Sequence, residues 1–213
     1  MKFYPDIIQG SPEWYQIRCG KLTASTFGRI ITGEGKMAAT AWEVENDVVG
    51  EILTGDPLED EEGFGGKLWA ERGKRLEPKA RELYEIATGE AVEIMGFVEN
   101  DDATIGCSPD GFVAKRTGLV QIKCLKPKHH IGLFRKQKND EIYKIEKKFF
   151  AQFQGEMFVT GCKWLDAWFY HPKIKPFRRR YERDVLYIAK LETILNQMVK
   201  NIHEAVQQMR EEN

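Results

Sequence analysis

Along the chain, apolar positions recur with a period of two in some stretches and near 3.6 in others, and the switches between them lay out the elements. Ser11-Pro12-Glu13 has the form of a helix start, Ser as N-cap and Pro at the first position, and a brief helix follows through Trp14, Ile17 and Arg18. Leu22-Thr23-Ala24-Ser25 leads into a second helix from Thr26 to Ile31. A third runs from Trp42 to Leu53, with Trp42, Val44, Val48, Val49 and Ile52 at helical spacing, and closes at Gly55. Lys67 to Thr88 is a long helix in which Pro78 predicts a break or a fresh start. Val92 to Glu99 alternates and reads as a strand. Beyond it, Thr104 to Cys107 with Phe112 to Ala114, and then Leu119 to Cys124, read as a hairpin joined across Lys115-Arg116-Thr117-Gly118, so that three antiparallel strands result. Ile142 to Thr160 predicts a second long helix, Trp164 to Tyr170 a buried strand, and Val185 to Ala189 a last strand. Leu191 to the end is an amphipathic helix that packs on the body or on a neighbouring subunit.

The hairpin concentrates the candidate chemistry. Pro109 removes a ladder donor and Gly111 permits unusual dihedrals, so Asp110 falls at a break in the first arm, where its carboxylate can face a cleft. The period of two puts Gln121 and Lys123 on one face of the second arm, opposite Val120, Ile122 and Cys124. An acid at a strand bend, an oxygen ligand across the hairpin and a lysine two residues on make a divalent-metal site for attack on a phosphodiester. Gln121 departs from the pattern, standing where a carboxylate is expected. By itself so short a pattern also fits a surface hairpin with its charges in solvent.

Composition narrows the picture. With 32 Lys+Arg against 33 Asp+Glu the net charge is −1 and the pI about 6.5, so affinity for nucleic acid has to come from local clustering. Lys123, Lys126, Lys128, Arg135, Lys136 and Lys138, with His129 and His130 among them, form a basic segment without an acid. Such a segment would neutralise phosphates without reading sequence. A second basic run spans Lys173 to Arg183. Glu59 to Glu62 is an acidic loop to which no chemistry is assigned. Arg18 and Ser25, either side of a Gly20 turn and beside a helix start, make an anion site suited to a phosphate. Glu77, helix-borne, can reach toward the hairpin as an extra acid. Four cysteines without CxxC spacing fit reduced thiols in a cytoplasm, and no run approaches the ~18 apolar residues of a membrane span. At 213 residues one domain, 1–213, is expected.

Four separated segments, SPEWYQIRCGKLTAS, ERGKRLEPKARELYE, GCSPDG with GLVQIKC, and AQFQGEMFVTG, resemble in order the viral-recombinase nucleases typified by the lambda-phage 5′-to-3′ exonuclease, within the PD-(D/E)xK superfamily. The resemblance covers about Ser11 to Tyr170 and implies an α/β, restriction-endonuclease-like core, a mixed central sheet flanked by helices. It implies an exonuclease dependent on Mg²⁺, with Mn²⁺ as a substitute, that digests the 5′-ended strand of duplex DNA to mononucleotides and leaves 3′ overhangs for recombination. The matching positions put Asp110, Gln121 and the Ile122 carbonyl on the metal, with Lys123 orienting the water and Glu77 assisting. They put Arg18, Ser25, Ser108 and Gln152 at the 5′-phosphate, and leave Lys126, Lys128, His129 and Arg135 for the DNA backbone. The family's ring-shaped trimers imply a homotrimer on double-stranded DNA ends, a phage single-strand annealing protein as partner, and the cytoplasm of a bacterial or phage-infected cell.

An amide at 121 keeps the shape of a carboxylate without its charge, which weakens the hold on a hard cation. Two explanations fit: an inactivated variant for trapping intact DNA, favoured by the wholeness of the rest of the site, or a natural homologue that binds without cutting. The rival readings are a restriction-type or structure-specific endonuclease and a catalytically silent DNA-end-binding protein.

Overall fold

The computed structural model describes residues 1–58, 64–136 and 144–212. In chain order it contains β1 (Lys2–Tyr4), α1 (Pro12–Arg18), β2 (Leu22–Thr23), α2 (Phe27–Ile30) after a 3-10 turn, α3 (Ala41–Thr54) and α4 (Phe64–Thr88). There follow β3 (Phe97–Glu99), β4 (Ile105–Cys107), β5 (Gly111–Val113), β6 (Gly118–Lys123), α5 (Pro127–Lys136), α6 (Lys144–Thr160), β7 (Trp164–His171), β8 (Ile174–Glu182) and α7 (Val185–Glu211). The acidic stretch Glu59–Glu62 and the far end of the basic segment, Gln137 and Lys138, lie outside the described residues.

The strands form two four-stranded sheets, ordered β1-β3-β4-β2 and β5-β6-β7-β8, each mixing parallel and antiparallel pairs. The architecture is therefore the expected mixed α/β one, but the expected three-stranded meander is not formed. β4 pairs with β3 and β2, whereas β5 pairs with β6, so the chain leaves one sheet and enters the other at Ser108-Pro109-Asp110. Pro109 has no N–H to continue a ladder, and at Gly111 a Cβ would stand 2.2 Å from the Val92 side chain, so only glycine lets β5 start there. The strand expected over Val92–Glu99 shortens to β3. Glu93 bridges Phe112 on its own instead.

One apolar cluster joins both sheets to the helices, with Leu22, Phe27, Val98 and Ile105 packed together with Leu119, Phe153, Leu165, Phe169 and the inner face of α7. A smaller cluster under α4 contains Ala80, Tyr84, Val120, Ile122 and Trp168. At its edge Asp166, with no exposed surface, accepts from Tyr84 Oη at 2.8 Å and from Arg180 Nε and Nη2 at 2.8 and 2.9 Å. Arg178 adds a longer contact at 3.5 Å. Two arginines of the second basic run thus help to fix β8 on β7.

Three local expectations change. Val185–Ala189 is the first turn of α7, because Asp184 caps it by accepting from the Tyr187 N–H at 2.9 Å, and burial falls on Tyr187, Ile188, Leu191 and Leu195 at helical spacing. α4 runs through Pro78 without a stop, since Pro78 and Lys74 are both exposed and the freed carbonyl is open to water. Trp42 points outward at 63 % exposure, leaving Ala41, Val44 and Val48 as the buried face of α3. No described helix is long and apolar enough to cross a membrane.

Candidate active site

The junction between the sheets shapes the site. Asp110, buried, turns its carboxylate back on β6, where Oδ2 accepts from the Ile122 N–H at 2.5 Å. Its own N–H faces Gln121 Oε1 at 3.4 Å. The end of β6 is therefore satisfied by a side chain where the strand β5 has run out. Gln9 pins the junction from the other side, its Nε2 donating to the carbonyls of Pro109 and Met95, each at 2.9 Å.

Helix α6 supplies the facing wall. Lys123 Nζ donates to Gln152 Oε1 at 3.3 Å and lies 4.6 Å from the centre of the Phe149 ring. Gln152 in turn donates through Nε2 to Glu156 Oε1 at 2.8 Å. Gly155 lets the helix come this close, because a Cβ there would meet Phe27 at 2.3 Å. Glu156 is 1 % exposed, and its second oxygen, Oε2, has no hydrogen-bond partner among the described residues.

α1 and the turn after it close the third side. Arg18 Nη2 donates to Thr23 Oγ1 at 3.3 Å and Ser25 Oγ at 3.2 Å, and its guanidinium stacks on Trp14 with 4.1 Å to the ring centre. Trp14 Nε1 donates to Ser108 Oγ at 2.8 Å, tying this wall to the sheet junction. A cleft of about 660 Å³ is lined by Arg18, Ser25, Ser108, Asp110, Gln121, Gln152 and Glu156 together.

Burial sets the electrostatics. Loss of water, reinforced by Glu77, pushes the Asp110 carboxyl up to about 7 against the pull of Lys123 and the Ile122 N–H. Glu156 is pushed up to about 8, again chiefly by burial, with Lys123 opposing and Asp110 adding to the shift. Glu77 is also raised by burial, although Arg81 holds it in an ion pair one helical turn away. Glu77 does not line the cleft; it bears on Asp110 electrostatically.

Of the residues singled out from sequence, then, Arg18, Ser25, Ser108, Asp110, Gln121 and Gln152 share one hollow, with Lys123 bonded to Gln152 at its edge. Ile122 presents its N–H to Asp110 and its side chain to the small apolar cluster. Lys126, Lys128 and Arg135 are exposed on or beside α5, and His129 is half-buried. His130 is buried and bonded to the Lys175 carbonyl at 2.9 Å, which makes it a packing residue. Arg81, 16 % exposed, pairs with Glu77. Trp14, Gln9 and Glu156 were missed. For Glu156 a signal existed, since it follows Gln152 by four residues on a helix and so shares its face.

Among the described residues no three Asp, Glu, His or Cys side chains form a group that could hold a metal. The donor set still suits a hard cation, because Asp110, Gln121 and Glu156, which line the same cleft, all carry side-chain oxygen donors.

A search of curated proteins finds no match. Among solved structures the chain is similar to an alkaline exonuclease, LHK-Exo, from Laribacter hongkongensis, with 29 % identity, TM-score 0.79, and 95 % of this chain and 97 % of that one covered. A structure of LHK-Exo in complex with dAMP matches at TM-score 0.78, with the same identity and coverage. A phage-related exonuclease from Haemophilus somnus 129PT shares the fold at TM-score 0.68 and 17 % identity, over 92 % of this chain and 99 % of that one. Residues 13–163 match the YqaJ-like viral recombinase domain, and with the mixed α/β core this places the chain in the viral recombinase and exonuclease family of PD-(D/E)xK-like nucleases.

Proposed function

We propose that the protein is a divalent-metal-dependent exonuclease that enters duplex DNA at an end and degrades the 5′-ended strand, leaving a 3′ overhang for recombination. One observation carries the reading: the Arg18-Ser25-Ser108 anion pocket and the Asp110-Gln121 pair line the same cleft, so a terminal phosphate can sit beside the hydrolytic centre. An attack one nucleotide in from that pocket releases mononucleotides. The capture of dAMP by LHK-Exo supports this product class.

In this mechanism the Arg18 guanidinium, pre-stacked on Trp14, grips the 5′-phosphate with the Ser25 and Ser108 hydroxyls, and Gln152 completes the pocket. Asp110, Gln121 Oε1 and the Ile122 carbonyl would hold Mg²⁺, or Mn²⁺ in its place. The bound ion supplies Lewis acidity at the scissile phosphate. Lys123, kept in place by Gln152, orients the attacking water and offsets the charge that develops on the phosphate. Glu77 assists by its negative field on Asp110. Lys126, Lys128, His129 and Arg135 follow the duplex backbone in a salt-dependent, sequence-blind way. A homotrimeric ring around the duplex and a single-strand annealing protein as acceptor of the overhang complete the proposal. Gln121 favours reduced turnover, and by the same token a second reading in which the protein holds DNA ends without cutting them.

The test compares 5′-phosphorylated linear duplex, 5′-hydroxyl linear duplex and a closed circle, with Mg²⁺, for the protein and for Gln121→Glu. Digestion of the phosphorylated linear duplex to mononucleotides, faster in Gln121→Glu and with the circle spared, is expected. Arg18→Ala should cut the preference for the phosphate about tenfold or more, the worth of a charge-assisted hydrogen bond. A cleaved circle would establish an endonuclease, and end binding without cleavage by either protein would establish the silent reading.

A further inference from the structure

Glu156 lines the cleft, and the proposed mechanism gives it no role. A carboxyl group with 1 % exposure and an oxygen that meets no donor among the described residues carries a desolvation cost in its charged form that buried acids recover through hydrogen bonds or a cation. The other oxygen is already held, by the Gln152 amide, which itself takes the Lys123 ammonium on its far side. This is how a metal ligand is prepared: one atom fixed by a supporting hydrogen bond and the other left open. Glu156 lines the same cleft as Asp110 and Gln121, its second oxygen buried in the wall, and it is close enough to Asp110 for the negative charge of Asp110 to act on it.

Gln121 makes the need for a second anion specific. A site with one carboxylate, one amide and one backbone carbonyl brings a single negative charge to a hard dication, and a second carboxylate would tighten its hold. We infer that the missing carboxylate has moved from strand β6 to helix α6, and that Glu156 serves with Asp110 as the second anionic ligand of the divalent cation. Gly155 is what permits this, since without a side chain there the helix seats against Phe27 and brings the next residue to the cleft. The inference rests on the reading of Asp110 as a metal ligand. If it is right, the Gln121 site is a rearranged centre, complete in charge.

The experiment is a calorimetric titration of Mn²⁺ into the protein stripped with chelator, repeated for Asp110→Asn, Glu156→Gln, Gln121→Glu and Gln121→Glu with Glu156→Gln. Binding to the unaltered protein is expected. It should fall at least about tenfold in Glu156→Gln, the lower end of what even a supporting partner to a ligand contributes. In the double variant, where the anion returns to β6, it should recover. Manganese paramagnetic resonance on the same samples reports the change in ligand set independently of turnover. If Glu156→Gln does not fold, Glu156→Asp, which withdraws the charge by one methylene, must show the same loss. Unchanged affinity in Glu156→Gln with loss in Asp110→Asn would overturn the role of Glu156 and leave the metal site standing. Indifference to Asp110→Asn would overturn both.

Discussion

Raising the pH in the absence of metal should destabilise the protein, and Asp110→Asn should remove a large part of that loss. An Asp in the unfolded chain titrates near 3.8, whereas in the cleft Asp110 titrates at about 7, because it is buried and faces Glu77. Between those values the folded state holds a proton that the unfolded state has given up. The contribution of Asp110 to stability is therefore greatest below about pH 4, declines as the pH rises through 7, and is flat above it. At about 1.4 kcal/mol for each pH unit separating the two values, Asp110 accounts for about 4 kcal/mol, a large share of the 5–15 kcal/mol typical of a domain. Glu156 acts in the same direction and extends the decline to about pH 8. Asn at 110 keeps the shape and can still accept from the Ile122 N–H through its carbonyl oxygen, so the neutral form is reproduced without rebuilding the junction. The assay is urea denaturation in chelator from pH 5 to 8.5, with stability extrapolated to water at each pH for both proteins. The stability difference between the unaltered protein and Asp110→Asn should shift by about 2.7 kcal/mol across that range, the part of the loss that falls above pH 5, against the unaltered protein at the alkaline end. A difference that stays constant with pH would refute the claim that a strained carboxylate sits at the sheet junction.

Other parts of the molecule can be tested alongside it. Gly155→Ala puts a methyl group 2.3 Å from Phe27, so it should cost about 1–3 kcal/mol and slow DNA digestion by shifting Gln152 and Glu156, measured as melting temperature and rate together. Tyr84→Phe removes a buried donor to the Asp166 carboxylate and should lower stability by about 1.5–3 kcal/mol, read as a lower urea midpoint at unchanged slope. Lys115 sits at φ 55° in a turn whose neighbours Ala114 and Arg116 are also left-handed, so Lys115→Gly should stabilise the β5-β6 turn. A gain of about 0.5 kcal/mol, a degree or two in Tm, is expected after the entropic cost of glycine.

Several things about this protein are settled by short-range chemistry. The cap at Ser11-Pro12, the glycine stop after α3 and the existence of strand β6 were all legible, because each depends on residues within a turn or two of one another. The same locality put Gln121 and Lys123 on one strand face and made Asp110 the residue at a break. The ordered motifs then carried the resemblance, and with it Arg18, Ser25, Ser108 and Gln152, which periodicity alone would never have joined. What only the folded molecule decided is which segments meet. Two short apolar arms on either side of Pro109 look like one interrupted strand, and they belong to different sheets because the partners that recruit them, β2 and β3 for one and β6 for the other, lie on opposite sides of them in sequence. Arg178 and Arg180 look like DNA-binding cations until Asp166 is placed beneath them, and Glu156 looks like an ordinary helix acid until Gly155 brings it to the cleft. A side chain's charge and hydrogen-bonding capacity belong to its type, but the water it loses and the partners it gains are properties of distant segments, and those set what its chemistry can be.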